Sequence, residues 1–323
     1  MMDFLHVKRR LIAVLTVATI VAPAQAQTFP TKTIRIIVPY APGGSIDLTA
    51  RVVARNLQDS AGQNVIVENK PGANAAIGIE ALVRSDPDGH SLIILSDSPV
   101  TINVHLSRLN YDPLIDLVPI TKVVSSPIIL AANAKAGIAS IADLVVAAKA
   151  KPLSYGISYR GSASHLAGAL LQRELGLTMQ AVPYRGGAPV AVAIASGEVP
   201  LGLLDTAPVL PMIGSGQVVA LGVAEPVRSQ AMPNIPTLRE AGVPNFSASS
   251  WLALFAPRGT PDDRVVTLNA EIAKIAAMPE AQKVLLAAGL EPAPNSPSEM
   301  RRIIEADHKR WGQLIQATGL RAE

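Results

Sequence analysis

No cysteine occurs in the 323 residues, which excludes disulfides, a thiol nucleophile and any thiolate-bound metal. Aromatic residues make up only 3% of the chain, and this weighs against a sugar site or a quaternary-amine cage, both of which use several ring faces. Histidine is sparse too, and His90, His105 and His308 follow no metal-ligand spacing. Three strings are missing as well: Gly-x-Gly-x-x-Gly at the first strand-to-helix corner, Gly-Lys-Ser/Thr, and Gly-x-Ser-x-Gly around any serine. Dinucleotide binding, P-loop chemistry and an esterase-type nucleophile elbow therefore lack their signatures.

What is present begins with an export signal. Lys8, Arg9 and Arg10 form a basic start, Leu11 to Ala22 an apolar run, and Ala24-Gln25-Ala26 a small-residue cleavage site. The run is short for a membrane span, and no cysteine follows to carry a lipid, so residues 1–26 are expected to be removed. The mature chain is expected in the periplasm. Taking away Lys8, Arg9 and Arg10 lowers the 28 basic residues to 25, and taking away Asp3 lowers the 25 acidic ones to 24. A net charge of +1 with no basic block gives no reason to expect a nucleic-acid partner. The 297 residues that remain of 323 can bury a large core, which must supply the stability that disulfides do not.

Short apolar runs alternate with helical stretches, the grammar of α/β units with mostly parallel sheets. Strands are expected at Ile34–Val38, Val65–Val67, Leu92–Leu95, Leu153–Gly156, Met179–Val182, Leu201–Leu204 and Val218–Val223. Ser45 is placed to cap a helix that Gly62 ends, and Asn74 to begin another. Two longer strand-like segments, Pro119–Ala131 and Ser249–Ala256, fall outside the alternation and suit crossings between two lobes. On this reading residues 27–125 and 250–323 form one discontinuous lobe, covered by the tail helices, and residues 126–249 the other.

The corners after these strands share a chemistry. "APGGS" (Ala41, Pro42, Gly43, Gly44, Ser45), "KPGANAA" (with Ala73, Asn74 and Ala75), "LSDSP" (Ser96, Asp97), "YRGSASH" (Arg160, Ser162, Ser164, His165), "YRGGAP" (Arg185, Gly186) and "LDTAP" (Asp205) are small or hydroxylated. In open α/β sheets such corners face one crevice, where helix-start amides and hydroxyls can hold a small anion. Asp47, in the first turn of its helix, suits stabilising that turn or receiving an ammonium group. Arg160 and Arg185 can either reach a ligand or remain solvated. His165 beside Ser162 and Ser164 leaves a secreted hydrolase as the rival reading.

The strings "FPTKTIRIIVPYAPGGSIDLTARVVARNLQ", "GQNVIVENKPGANAAIGIEALVRSDPDGHSL", "LNYDPLIDLVPI", "GSASHLAGALL", "VPYRGGAPVAVAIASGEV" and "SSWLALFAPRGTP" closely resemble the Bug-type receptors, the extracytoplasmic solute-binding proteins of tripartite tricarboxylate transporters. The likeness runs from about Phe29 to Leu320. It implies a two-lobed, periplasmic-binding-protein-like fold with a cleft at the hinge, no cofactor, no catalysis, and a monomer that serves a membrane permease or, in some members, a signalling partner. It also implies a carboxylated ligand, such as a di- or tricarboxylate, an amino acid or an aromatic acid, held by loop backbone and water. Carried over, the ligand-binding positions are Pro42, Gly43, Gly44 and Asp47, then Gly72 to Ala75, with Ser162, Ser164, His165, Gly186 and Asp205 from the other lobe. This chain departs from many relatives in having Tyr159 and Arg160, expected to read the distal end of the ligand, and Arg185 in place of the usual lysine.

Overall fold

The strand-to-helix corners set the architecture, because each one ends a strand at the same edge of its sheet. The computed structural model describes residues 29–244 and 246–321, so the export signal read at residues 1–26 lies outside the described residues. The first part of the chain runs β1 (Ile34–Val38), α1 (Ser45–Ala61), β2 (Val65–Asn69), α2 (Ala76–Val83), β3 (Ser91–Ser96), α3 (Asn103–Leu106) and β4 (Leu117–Ser126). The middle runs β5 (Ile128–Asn133), α4 (Ile141–Ala150), β6 (Leu153–Ile157), α5 (Ala163–Leu175), β7 (Met179–Pro183), α6 (Gly187–Ser196), β8 (Leu201–Asp205), α7 (Leu210–Gly214) and β9 (Val218–Val223). The chain closes with β10 (Ser250–Pro257), α8 (Asp262–Ala277), α9 (Pro279–Ala287), β11 (Glu291–Pro292) and α10 (Pro297–Thr318).

Two sheets result, each with helices on its faces. One has the order β11-β4-β10-β3-β1-β2 and the other β7-β6-β8-β5-β9. Parallel pairing holds for β2-β1-β3 and for β7-β6-β8, as the alternating pattern predicts. The other pairings are antiparallel: β10 runs against β3 and β4, and β5 runs against β8 and β9. The segment expected as one strand over Pro119–Ala131 is two, split at Pro127, whose ring nitrogen has no hydrogen to offer a ladder. Its halves lie in different sheets, so the chain crosses there and returns before Ser250.

Local chemistry explains the helix ends. Gly44, not Ser45, is the N-cap of α1, and Ser45 is its first helical residue. Gly62 closes it with φ 64°, a left-handed conformation that costs glycine little. Thr49, Ala50, Val53, Ala54 and Leu57 form its buried face. The next helix starts later than Asn74: Ala73, Asn74 and Ala75 all have positive φ (46°, 51° and 78°), and α2 begins at Ala76. α10 also departs from the expectation that the tail covers one lobe. Met300 and Ile304 pack in the core of the first sheet, whereas Trp311, Leu314 and Ile315 are buried in the core of the second. At 22 residues this helix is roughly 33 Å long, enough to span both.

Candidate functional site

A cavity of about 550 Å³ lies where the carboxyl ends of the two sets of strands face each other. The N-termini of α1, α5 and α6 open onto it: Gly44, Ser45 and Ile46 from one sheet, Ser162, Ala163 and Ser164 with Gly187 and Ala188 from the other. Among the described residues no side chain caps α1 or α6. The amides of their first turns therefore keep their hydrogen-bonding capacity for whatever enters, and the helix dipoles add partial positive charge there.

Asp47 holds the first corner in shape. Its carboxylate takes Arg51 Nε at 2.9 Å and Nη2 at 3.0 Å, Asn69 Nδ2 at 2.9 Å and the Gly43 amide at 3.0 Å. Although burial opposes ionisation, Arg51 and these donors bring its pKa down to about 2. With its lone pairs committed, Asp47 positions the Gly43-Gly44 backbone and is not free to receive a ligand ammonium.

The serines of the second corner are committed too. Ser162 Oγ donates to the Tyr159 carbonyl at 2.6 Å and accepts the His165 amide at 3.2 Å, which caps α5. Ser164 Oγ accepts the Ser158 amide at 3.1 Å and lies 2.8 Å from Ser162 Oγ, to which it gives its hydrogen. Both line the cavity, but their hydroxyls shape the loop and add no donor to it.

Of the positions singled out in the sequence, Ala41, Gly43, Gly44, Asp47, Ser96, Asp97, Ser162, Ser164, Gly186 and Asp205 line the cavity. Pro42, Ala73, Asn74, Ala75, Arg160 and His165 are outside its lining. For Ala73 to Ala75 the reason is the left-handed turn, which keeps Ala73 and Asn74 at the surface. His165 faces a separate depression with Tyr155, Gln172 and Thr318, and its Nδ1 accepts the Gly161 amide at 3.1 Å. Burial and the Arg160 guanidinium push its pKa down to about 4, so it is a neutral structural histidine turned away from both serines. The serine-histidine pairing that a hydrolase needs is not formed. Arg160 is exposed, while Arg185 reaches the cavity lining.

Sequence reasoning missed Tyr40, Ser126, Ser158, Ser250 and Leu252, all of which line the cavity, as does Ser98 of the "LSDSP" corner. Tyr159, which the sequence reading did single out, lines the cavity together with Tyr40. Tyr40 and Ser96 Oγ form a hydrogen bond of 3.3 Å, and burial raises both phenols, Tyr40 to about 12. A signal existed: Tyr40, Tyr159 and Tyr184, three of only five tyrosines, each stand just before a glycine corner.

Known proteins share the sequence and the fold of this chain. The sequence pattern of the tripartite tricarboxylate transporter family receptor, TctC, matches residues 49–320. The chain belongs to this receptor family. TctC receptors are solute-binding proteins and not enzymes, which removes the hydrolase reading. The chain is 36% identical over 318 residues to protein BugT of Bordetella pertussis, covering 96% of this chain and 98% of BugT. Among solved structures it is similar to Rpa4515 of R. palustris with adipate, at 31% identity and TM-score 0.81, covering 91% of this chain and 99% of that one. MatC (Rpa3494) from Rhodopseudomonas palustris with bound malate has 28% identity and TM-score 0.76, covering 89% of this chain and 100% of that one. The two-lobed α/β fold expected of a TctC receptor is thus present. Among the described residues no helix is long and apolar enough to cross a membrane.

Proposed function

We propose that this TctC protein is a periplasmic receptor that closes its lobes on a small organic carboxylate and presents the closed form to a membrane permease. The observation that carries the reading is the meeting of three helix N-termini, from both sheets, in one cavity. A carboxylate there exchanges its hydration shell for fixed amide donors, and contacts to both lobes favour the closed arrangement. The ligands of the two solved relatives, adipate and malate, are carboxylates and support the class. In this account residues 1–26 direct export, residues 126–249 form one lobe, and residues 27–125 with 250–323 form the other. α10 is shared between the two, and a monomer suffices because both lobes come from one chain.

Closure bends the chain at Pro127 and at the return between Val223 and Ser250, the two places where it passes from sheet to sheet. A thermal-shift panel of organic acids on the purified protein tests the proposal. An acid at a hundred times its dissociation constant is expected to stabilise the fold by about 2.7 kcal/mol. A panel of mono-, di- and tricarboxylates that leaves the melting temperature unmoved contradicts it.

A further inference from the structure

Asp205, the last residue of β8, stands at one of the helix starts that open onto the cavity. A methyl group on Gly187, the first residue of α6, would lie 3.7 Å from Asp205 Oδ2. No cation offsets this carboxyl. Among the described residues its one side-chain partner is the Ser126 hydroxyl, at 3.5 Å, and no lysine, arginine or histidine forms an ion pair with it. The titratable groups that face it from other elements are all acids: Asp97 after β3, and the phenols of Tyr40 after β1 and Tyr159 after β6. Asp97 is 1% exposed, its Oδ2 has no hydrogen-bond partner among the described residues, and Asp307 of α10 acts on it in turn. Asp47 also lines the cavity but is paired with Arg51. Arg185, exposed beside Gly186, is the only cationic side chain among the described lining residues.

A helix start carries the equivalent of about half a positive charge, enough to favour one carboxylate and too little for two. Without a guest, Asp205 is the anion that α6 stabilises. A guest carboxylate that takes the amides of Gly187 and Ala188 comes up against it, and two carboxylates in contact cannot both stay ionised. Building on the receptor reading above, we infer that the guest anion is captured together with a proton: its carboxylate takes the start of α6, while Asp205 becomes the neutral acid and donates its hydrogen to a guest oxygen. The proton comes from water. One negative charge, shared over a carboxyl–carboxylate pair, then sits where one sat before. Burial already raises Asp205 to about 6, so the arriving anion has only to lift it past neutral pH. Affinity for carboxylates therefore falls as the pH rises, which a fixed cation at the same place would not cause.

Titration calorimetry on the whole protein counts the proton. Adipate, malate, glutarate and benzoate serve as probes, since their own carboxyls are ionised above about pH 6.5. In buffers of different ionisation enthalpy, a probe that binds is expected to bring close to one proton with it at about pH 7.5. Its dissociation constant is expected to rise up to about tenfold for each pH unit between about 7 and 8.5. Asp205→Asn offers a hydrogen-bond donor without a charge at every pH. It is expected to bind at least about tenfold more tightly than wild type at about pH 8, and to lose most of the proton uptake. A wild-type titration that takes up no proton, or releases one, overturns the inference whether or not the variant folds, and leaves the receptor reading standing. Uptake that survives Asp205→Asn undiminished overturns it too, because another group then carries the proton. A protein that binds none of these probes, nor any acid of the thermal-shift panel, overturns both readings.

Discussion

Ser126 and Ser250 are register partners on β4 and β10, yet their hydroxyls go to carboxylates of different sheets, Ser126 to Asp205 at 3.5 Å and Ser250 to Asp97 at 3.0 Å. The two strands that carry the chain to and from the second lobe thus meet at the floor of the cavity and touch an acid from each side. Ser250→Ala leaves Asp97 without its one hydroxyl donor. The expected loss of stability is about 1–3 kcal/mol at pH 8, shrinking at pH 5 where Asp97 is protonated, as read by denaturant melts at the two pH values.

The acids themselves set how the ligand-free protein responds to pH. Burial, with Asp307 nearby, raises Asp97 to about 7, and burial raises Asp205 to about 6. A carboxyl whose folded pKa lies above its unfolded value stabilises fully below the unfolded value, near 4, and this contribution is lost as the pH rises through the folded value. The melting temperature should therefore climb as the pH falls from 8 towards 5. Asp97→Asn should flatten much of that slope and raise stability at pH 8, a result that differential scanning calorimetry reads directly.

Asp47 works in the opposite sense. Its pKa of about 2 gives stability above pH 4 that is lost as the pH falls towards 2. Asp47→Ala removes the brace on Gly43 and Asn69 and is expected to cost about 1–3 kcal/mol. The Arg51 pair adds little of this, because the Arg51 side chain is 53% exposed. Ligand affinity should drop as well, since the corner loses its fixed shape.

Packing beneath the second corner gives a prediction independent of charge. A methyl group on Gly168 in α5 would fall on the Tyr155 ring, so the helix must shift to admit it. Gly168→Ala is expected to destabilise by about 1–3 kcal/mol despite alanine's better helix propensity. Ala73→Gly points the other way. Ala73 is exposed with φ 46°, and glycine there relieves a left-handed conformation, for a gain of up to about 1 kcal/mol in urea unfolding.

Much of the fold was legible because its signals are local. Ile34–Val38 and Val218–Val223 are strands over the very residues that their apolar runs mark, and Gly62 ends α1 as its place after an amphipathic stretch predicts. What was not legible depends on partners distant in sequence. The split at Pro127 follows from two sheets competing for one segment, and the burial of Trp311 in the second core follows from a helix reaching across lobes. In the site, the glycine corners announced the helix starts, but a sequence does not tell a free hydroxyl from a committed one. Ser162 and Ser164 spend theirs on the loop, His165 turns to Gly161, and Ser126 and Ser250 enter the site from strands whose role was read as connection.

A crystal structure of the protein soaked with the tightest-binding acid of the panel tests the central claim most directly. The account predicts a carboxylate within about 3 Å of first-turn amides at Ser45 or Ile46 and at Gly187 or Ala188, touching both lobes at once. A ligand bound by one lobe alone, or outside the cavity between Gly44 and Ser162, would contradict it.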